Sequence, residues 1–516
     1  MIYSLRAPID VADASMNIIK DLGPGKAYGI PYDTAWAALH EEIFPESTTW
    51  LTRKQRHDGS WGGGVEYFHD RLVSTLASIL TLSKSKRSRS YQDQVERGET
   101  YLSENLQRVK EEEHSTIGFE LLFPTLMEEA ERLKLNVPYL HDDYIHRIRE
   151  TKLSLIYNDL VYNGNTSLSF SAEFLGDAFD ITKARELLNP NGSVGNSPSA
   201  TAYYLKSKMK PEAFAYLETV LGVNADGSVL PVYPFDVFEK TWAFYHFDKL
   251  DLPVKSEFRR HLKAIKDSWS KGGVGITKHA IIDSDDAAVA FNFLASMGES
   301  PDPNVFNNWE KDDFFQCFEY ERDPSLSSNI HILDSVKHLK GYRNRDDAVD
   351  KILSFLESGR RGDGSWQDKW HLSPFYITSH AVIAVHGLND KLVEDAVSWI
   401  LENQKPNGMW GFNNGTKEET AYALWTLLYY NDHVTPIDEQ ILIQGLDQLA
   451  QRGGAWKHEE LWIAKGLYCP VNVVDSLILA VLYKAEKAGL MDPLRTRRHW
   501  FTAPEITTEE RDYGLG

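Results

Sequence analysis

Apolar residues recur at three-to-four spacing along RLVSTLASILTL (71–82), FELLFPTLMEEAERLKL (119–135), AVDKILSFLES (348–358) and EETAYALWTLLYY (418–430). That spacing lays an apolar stripe along an α-helix, so helices are expected through most of the chain. Alternating, strand-like runs are scarce. Between the helical segments sit Gly/Pro/Asn-rich turns such as NPNGSVGNSPS (189–199) and QKPNGMWGF (404–412). The chain reads as nearly all α.

A turn-Gly-x-Trp core recurs in QRHDGSWG (55–62), RRGDGSWQ (360–367) and QKPNGMWG (404–411). Trp366, Trp410 and Trp456 fall roughly 45 residues apart, the length of a helix pair. The expected geometry is a helix ending at a glycine turn whose Trp packs back over the helix termini. On the repeat alone, a non-catalytic helical-repeat scaffold remains open. Residues 491–516 are polar and unpatterned and read as a loosely held tail.

Composition narrows the class. A chain of 516 residues is too long for one core and implies two or three domains. With 42% hydrophobic and 25% charged residues it reads as globular. Its 14 Trp need a use, because each indole N–H wants a partner when buried. A net charge of −20 argues against nucleic acid and against an anionic membrane. An anionic ligand would therefore need a metal ion or a local cationic pocket. The two cysteines, Cys317 and Cys469, make neither a disulfide framework nor a zinc cluster. The first residues lack a signal-peptide core and no run of about 18 apolar residues exists, so a cytoplasmic protein without a membrane span is expected.

The stretch IIDSDDAAVA (281–290) carries the candidate chemistry. If a helix starts near Ser284, that serine can cap it and Asp285 lies in its first turn, a place where acidic residues are common for structural reasons alone. The apolar flanks add a second reading. A carboxyl beside two others in a dry cavity has its pKa raised by repulsion and desolvation. It then stays protonated at neutral pH and serves as a strong general acid.

In this order the motifs resemble class II diterpene cyclases of the copalyl diphosphate synthase type, relatives of the squalene–hopene cyclases. PYDTAW (31–36), DGSWG with HDRLVSTLA (58–62, 69–77), IGFELLFPTL (117–126), SPSATAYY (197–204), VYPFDVFEKTW (232–242) and DSDD follow the family's sequence of motifs. QDKWHLSPFY (367–376), EETAYAL (418–424) and LWIAKGLYCP (461–470) look closest to bacterial and fungal members. The resemblance implies an all-α fold of two α-barrel domains, β and γ, with no class I α-bundle domain. Its boundaries would be 1–28 for the first β helix, 29–218 for an inserted γ domain, 219–490 for the rest of β, and the tail from 491.

It also implies roles. Asp285 would deliver the proton, with Asp283 and Asp286 tuning it and His331 as the acid's partner. Trp370, Tyr376, Trp462 and Tyr468 would line the cavity, where aromatic faces stabilise carbocations. Lys152 would contact the diphosphate, and Glu111, Glu112 and Glu113, of which Glu111 is the first choice, would hold Mg²⁺. The implied reaction is proton-initiated cyclisation of geranylgeranyl diphosphate to a labdane-, halimane- or clerodane-type diterpene diphosphate. Farnesyl diphosphate giving a drimane is the nearby alternative. The expected partner is the prenyl diphosphate, and a downstream class I terpene synthase and a homodimer are compatible with the reading. Where plant members carry a water-activating His/Asn pair, this chain has Phe170 and Pro231, neither of them a base, and Ala287 stands where a Thr usually follows the acid motif. DDAVD (346–350) and NDHVTPIDE (431–439) spell class I metal motifs but are read as surface charge, the second because Pro436 interrupts it.

Overall fold

The computed structural model describes residues 11–491, apart from 139–142, 157–159, 165, 181, 185–186, 208–209, 320, 340–341, 343 and 452–456. Trp456 and the tail from residue 492 thus lie outside the described residues. After α1 (Val11–Asp21) come α2 (Pro31–Ala38), α3 (Pro45–Lys54), α4 (Phe68–Lys84), α5 (Gln92–Asn105), α6 (Phe119–Arg132), α7 (Asp143–Ser154), a kinked 3₁₀ stretch (Ser169–Ala178), α8 (Pro198–Ser207) and α9 (Pro211–Asn224). The second half runs α10 (Asp236–Lys249), α11 (Lys255–Ser268), α12 (Ser284–Ser296), α13 (Leu326–Val336), α14 (Arg345–Gly359), α15 (Pro374–Val385), α16 (Asp390–Glu402), α17 (Lys417–His433), α18 (Glu439–Ala450) and α19 (Val471–Lys487).

Packing sorts these helices into two closed rings. In the second half α10, α12, α13, α15, α17 and α19 each touch the next, and α19 returns to α10. Helices α11, α14, α16 and α18 pack outside that ring, and α1 joins them by packing on α19 and α11. In the first half α2, α4, α6, the 3₁₀ stretch and α8 close a smaller ring, with α3, α5, α7 and α9 against its outside. The architecture is two α-barrels.

The rings explain where the one-stripe pattern holds. Outer helix α14 buries Ala348, Ile352 and Leu356, at four-residue spacing. Inner helices are enclosed by ring neighbours and an outer helix together, so α4 is buried continuously from Phe68 to Leu82 and α17 from Glu418 to Leu428. Asp346, Asp347 and Asp350 face solvent on outer helix α14, and Asp432 pairs with Lys484 at the surface end of α17.

Among the described residues the glycine turns are one device used five times. Trp61, Trp366 and Trp410 each donate Nε1–H to the carbonyl ten residues earlier, Leu51, Leu356 and Ile400, at 2.7–2.8 Å. NGSV (191–194) and DGSV (226–229) build the same turn with valine replacing Trp, and the leading Asn191 or Asp226 accepts from the backbone N–H two residues on. Gly364 adopts φ +98°, and a Cβ there would meet the Asp395 carbonyl at 2.8 Å, so the turn sits directly on an outer helix. Among the described residues, paired strand is confined to a hairpin, β1 (Trp462–Ile463) and β2 (Leu467–Tyr468), pairing Trp462 with Tyr468. The Ile117 N–H donates to the Ala464 carbonyl at its tip, which ties the hairpin to the first barrel.

Candidate active site

A cavity of about 230 Å³ lies between the barrels. Ile117, Phe170, Gly195 and Asn196 face it from the first barrel. From the second come Phe238, Trp242, the 276–286 segment, Phe318, Trp370, Tyr376 and the hairpin residues Trp462, Ile463, Ala464 and Tyr468. Eight Phe, Trp and Tyr rings line the wall, and Asp283, Asp285 and Asp286 form its acidic spot.

The three aspartates have different jobs because α12 starts one residue before the expected cap. Asp283, not Ser284, caps the helix: its backbone is extended and Oδ1 accepts from the Asp286 N–H at 2.7 Å. Ser284 instead donates Oγ–H to the Gln316 carbonyl. Burial pushes the Asp283 carboxyl up to about 7. Burial, with Asp283 next to it, pushes Asp286 well above the carboxylate range, and its Oδ1 is buried without a partner. Asp285 is the member held by other elements. Ser327 Oγ donates to its Oδ2 at 2.8 Å, and His331 Nδ1 stands 2.5 Å from its Oδ1, both from α13. The Asp285 side chain keeps 13% of its surface exposed, toward the cavity, while His331 has none.

Motif residues support this arrangement from behind. Asp368 of QDKWH accepts from the Leu326 and Ser327 N–H groups and so fixes the first turn of α13. Glu418 of EETAYAL accepts from Trp462 Nε1 at 2.8 Å and sets that indole in the wall. Asp33 of PYDTAW accepts from the Ser199 N–H in the first barrel.

Residues 322–464 match the squalene–hopene cyclase C-terminal domain family. Over 494 residues the chain is 35% identical to a type B diterpene cyclase of Mycobacterium tuberculosis, covering 89% of this chain and 96% of the relative. The chain belongs to the class II diterpene cyclases. The cyclase is also 31% identical to ent-copalyl diphosphate synthase 1 of Oryza sativa over 69% of its length, spanning 42% of that longer plant protein. Its fold matches ent-copalyl diphosphate synthase from Streptomyces platensis with a TM-score of 0.77 at 25% identity, covering 92% of this chain and 99% of that one.

Of the residues singled out from sequence, the cyclase brings Asp283, Asp285, Asp286, Phe170, Trp370, Tyr376, Trp462 and Tyr468 to one cavity, with His331 bonded to Asp285 behind it. Lys152 and the glutamate triplet stand outside the cavity wall. Lys152 pairs with Glu120 at 2.7 Å, and Glu120 also receives Arg322 at 2.8 Å. The triplet does not converge: Arg108 donates to Glu111, the Phe68 N–H to Glu112, and Arg361 to Glu113. Among the described residues no three His, Cys, Asp or Glu side chains form a ligand cluster. The three glutamates therefore do not fit a metal cage together, since consecutive residues on this turn point three ways.

Sequence reasoning missed Ser327, Phe238, Trp242 and a second histidine, His380, whose Nδ1 lies 2.7 Å from His331 Nε2. Their spacing carries no short-range signal, because they come from α10, α13 and α15 and meet only when the ring closes. It also missed Lys369, which stacks over the cavity-lining rings of Phe318 and Trp370 at 5.3 and 4.9 Å and bonds Glu321.

Proposed function

We propose that this cyclase protonates the terminal alkene of geranylgeranyl diphosphate through Asp285 and closes it to a bicyclic diterpene diphosphate with the diphosphate retained. The observation that carries the proposal is a carboxyl held by Ser327 and His331 at the wall of a cavity that presents the rings of Phe170, Phe238, Trp242, Tyr376, Trp462 and Tyr468.

The alkene π pair takes the Asp285 proton, a C–H bond forms and a tertiary cation results. An alkene is a poor base, so water must be kept from the same proton. The apolar wall does this, and its ring faces stabilise the cation without attacking it. Two donors on the Asp285 oxygens stabilise the carboxylate as it forms, and the raised proton affinity of Asp286 keeps a second full charge away from it. Ring closure moves the positive charge inward until a neighbouring C–H gives up its proton. With Phe170 and Pro231 unable to act as bases, we assign that step to His279. It lines the cavity, and burial holds its pKa below the usual imidazole value, so it is uncharged at neutral pH. Proton in and proton out balance, so the reaction is an isomerisation.

The diphosphate is assigned to the end of the cavity beside Phe318 and Trp370, where Lys369, Arg322 and Lys152 gather at Glu120, Glu321 and Asp323. Magnesium, if it arrives with the diphosphate, needs only one or two protein carboxylates and would neutralise phosphate charge. Taken singly, Glu111, exposed and paired with Arg108, is the carboxylate of that triplet that would hold it.

The test is incubation with geranylgeranyl diphosphate and, separately, farnesyl diphosphate, followed by phosphatase treatment and product identification by mass spectrometry and NMR. Wild type should give a bicyclic C20 alcohol, and Asp285→Asn should lose at least about 10³-fold in turnover with its circular dichroism intact. Turnover by Asp285→Asn, or release of inorganic diphosphate before phosphatase, overturns the proposal. A C15 product alone reassigns the substrate.

A further inference from the structure

The hydrogen-bond chain behind the acid extends one residue beyond His331. His380 on α15 presents Nδ1 to His331 Nε2 at 2.7 Å, while His331 Nδ1 faces Asp285 Oδ1 at 2.5 Å. Both imidazoles are fully buried. We propose that His380 is a positioning residue: its Nδ1–H donates to His331 Nε2 and so keeps the His331 proton on Nδ1, facing Asp285. This inference rests on Asp285 being the proton donor.

Two imidazole nitrogens in contact need one N–H and one lone pair. In the first arrangement His331 donates from Nε2. An uncharged His331 then turns a lone pair toward Asp285, and the carboxylate left by proton transfer meets that lone pair. His380 must also carry its own proton on Nε2, which is buried without any partner. In the second arrangement His380 donates from Nδ1. Its isolated Nε2 is then a lone pair, and a buried under-used acceptor is commoner in proteins than a buried orphan N–H. His331 is left with its proton on Nδ1, where it stabilises the Asp285 carboxylate as it forms. Both ends of the chain select the second arrangement.

The surroundings keep His380 uncharged and oriented. Burial, and next to it the neighbouring histidines 331, 246 and 371, hold its pKa well below the usual value, so it has one N–H to place. Tyr245 stacks on its ring with 5.4 Å between centroids, and Trp425 meets it edge-on. Other titratable groups face the pair. Helix α10 brings Tyr245 and His246, whose pKa burial lowers to about 3. Tyr376 and Tyr422 are pushed well above 10 by burial. Asp334 lies one turn along α13 from His331; its burial opposes ionisation, but Lys249 and Lys337 keep its pKa low. Burial pushes Asp283 up to about 7, and the residue is retained in every variant compared, so the comparison between variants is what reports on the histidine pair.

The test measures kcat, KM and the pH–rate profile of His380→Phe, His380→Asn and His380→Gln beside wild type. An asparagine amide can place an N–H near the Nδ1 position; a glutamine amide places it near Nε2. The expected result for His380→Phe is a loss in kcat of roughly 10- to 100-fold, as when the partner that orients a functional histidine is removed. KM should not change. Its pH–rate profile should also differ from that of wild type, because nothing then holds the His331 proton on Nδ1. His380→Asn should recover most of the loss and the wild-type profile, and His380→Gln should not. Wild-type kcat and profile in His380→Phe would overturn the assignment, and so would equal behaviour of the Asn and Gln variants. That second comparison stands if the Phe variant fails to fold. Activity surviving in Asp285→Asn would sink the proposed function instead, which keeps the two failures distinct.

Discussion

Replacing Lys465 with methionine keeps the side chain's length and removes its charge at the tip of the 462–468 hairpin. In the native protein the Lys465 ammonium enters the first barrel and has no exposed surface. It makes three bonds, one for each proton: to Glu173 Oε1 at 2.5 Å, Ser197 Oγ at 2.8 Å and Ser199 Oγ at 2.7 Å. Glu173 is equally buried and also accepts from the Tyr32 hydroxyl. Lys465→Met therefore leaves an uncompensated carboxylate in a dry interior, a loss of about 3–5 kcal/mol. Replacing both partners, Lys465→Met with Glu173→Gln, removes the stranded charge and should return most of that loss. Chemical denaturation followed by tryptophan fluorescence measures the four corners of this cycle. The hairpin also supplies Trp462, Ile463, Ala464 and Tyr468 to the cavity wall, and the Lys465 ammonium sits 4.7 Å from the Phe170 ring centroid. Loosening it should admit water to Asp285, so turnover should fall with stability in the single variant and recover in part in the double one. A cost under 1 kcal/mol for Lys465→Met, or a double variant no more stable than the single, would refute the reasoning.

Two further outcomes follow from the same site. Asp33 is driven up to about 7 by burial, against the partial counter-effect of Lys465, whereas an unfolded aspartate titrates near 3.9. The folded state then binds more protons between about pH 4 and 7, so the stability from this group is fully present below pH 4 and lost as pH rises toward 7. Asp33→Asn should flatten that slope relative to wild type, by at most about 4 kcal/mol across the window, in denaturant midpoints taken at several pH values. His279→Ala should leave substrate consumption measurable but redistribute products toward water-captured alcohols or alternative alkenes, read by mass spectrometry; an unchanged product ratio removes His279 from the terminating step.

What was legible in the sequence was what short-range spacing can carry. The helical period, the glycine turns and the acid motif are local, and the helices, turns and Asp cluster stand where those patterns put them. The valine versions of the turn at 191–194 and 226–229 escaped because the recognised signal was the Trp, whereas the element that makes the turn is the Asx–Gly pair. The cap at Asp283 rather than Ser284 could not be read from residue types, since both can cap; the extended backbone of Asp283 decides it. The glutamate triplet failed as a cluster for a related reason: adjacency in sequence is not convergence in space, and the surrounding elements each claim one carboxylate.

Of the acid's partners His331 was legible through the resemblance, but Ser327 and His380, 42 and 95 positions from Asp285 and on different helices of one ring, were not. Ring closure is what makes them neighbours, and it explains why the acid depends on parts of the molecule that never touch an alkene. Asp285 needs a dry face and donors behind it at the same time. The donors come from inner helices α13 and α15, whose burial on all sides fixes His331 and His380. The dry face comes from the other barrel and the hairpin that plugs into it. A change in either barrel can therefore weaken the acid without altering the aspartate, and the two routes separate experimentally: loss of the back donors should shift the pH profile, whereas loss of the plug should lower stability and admit water.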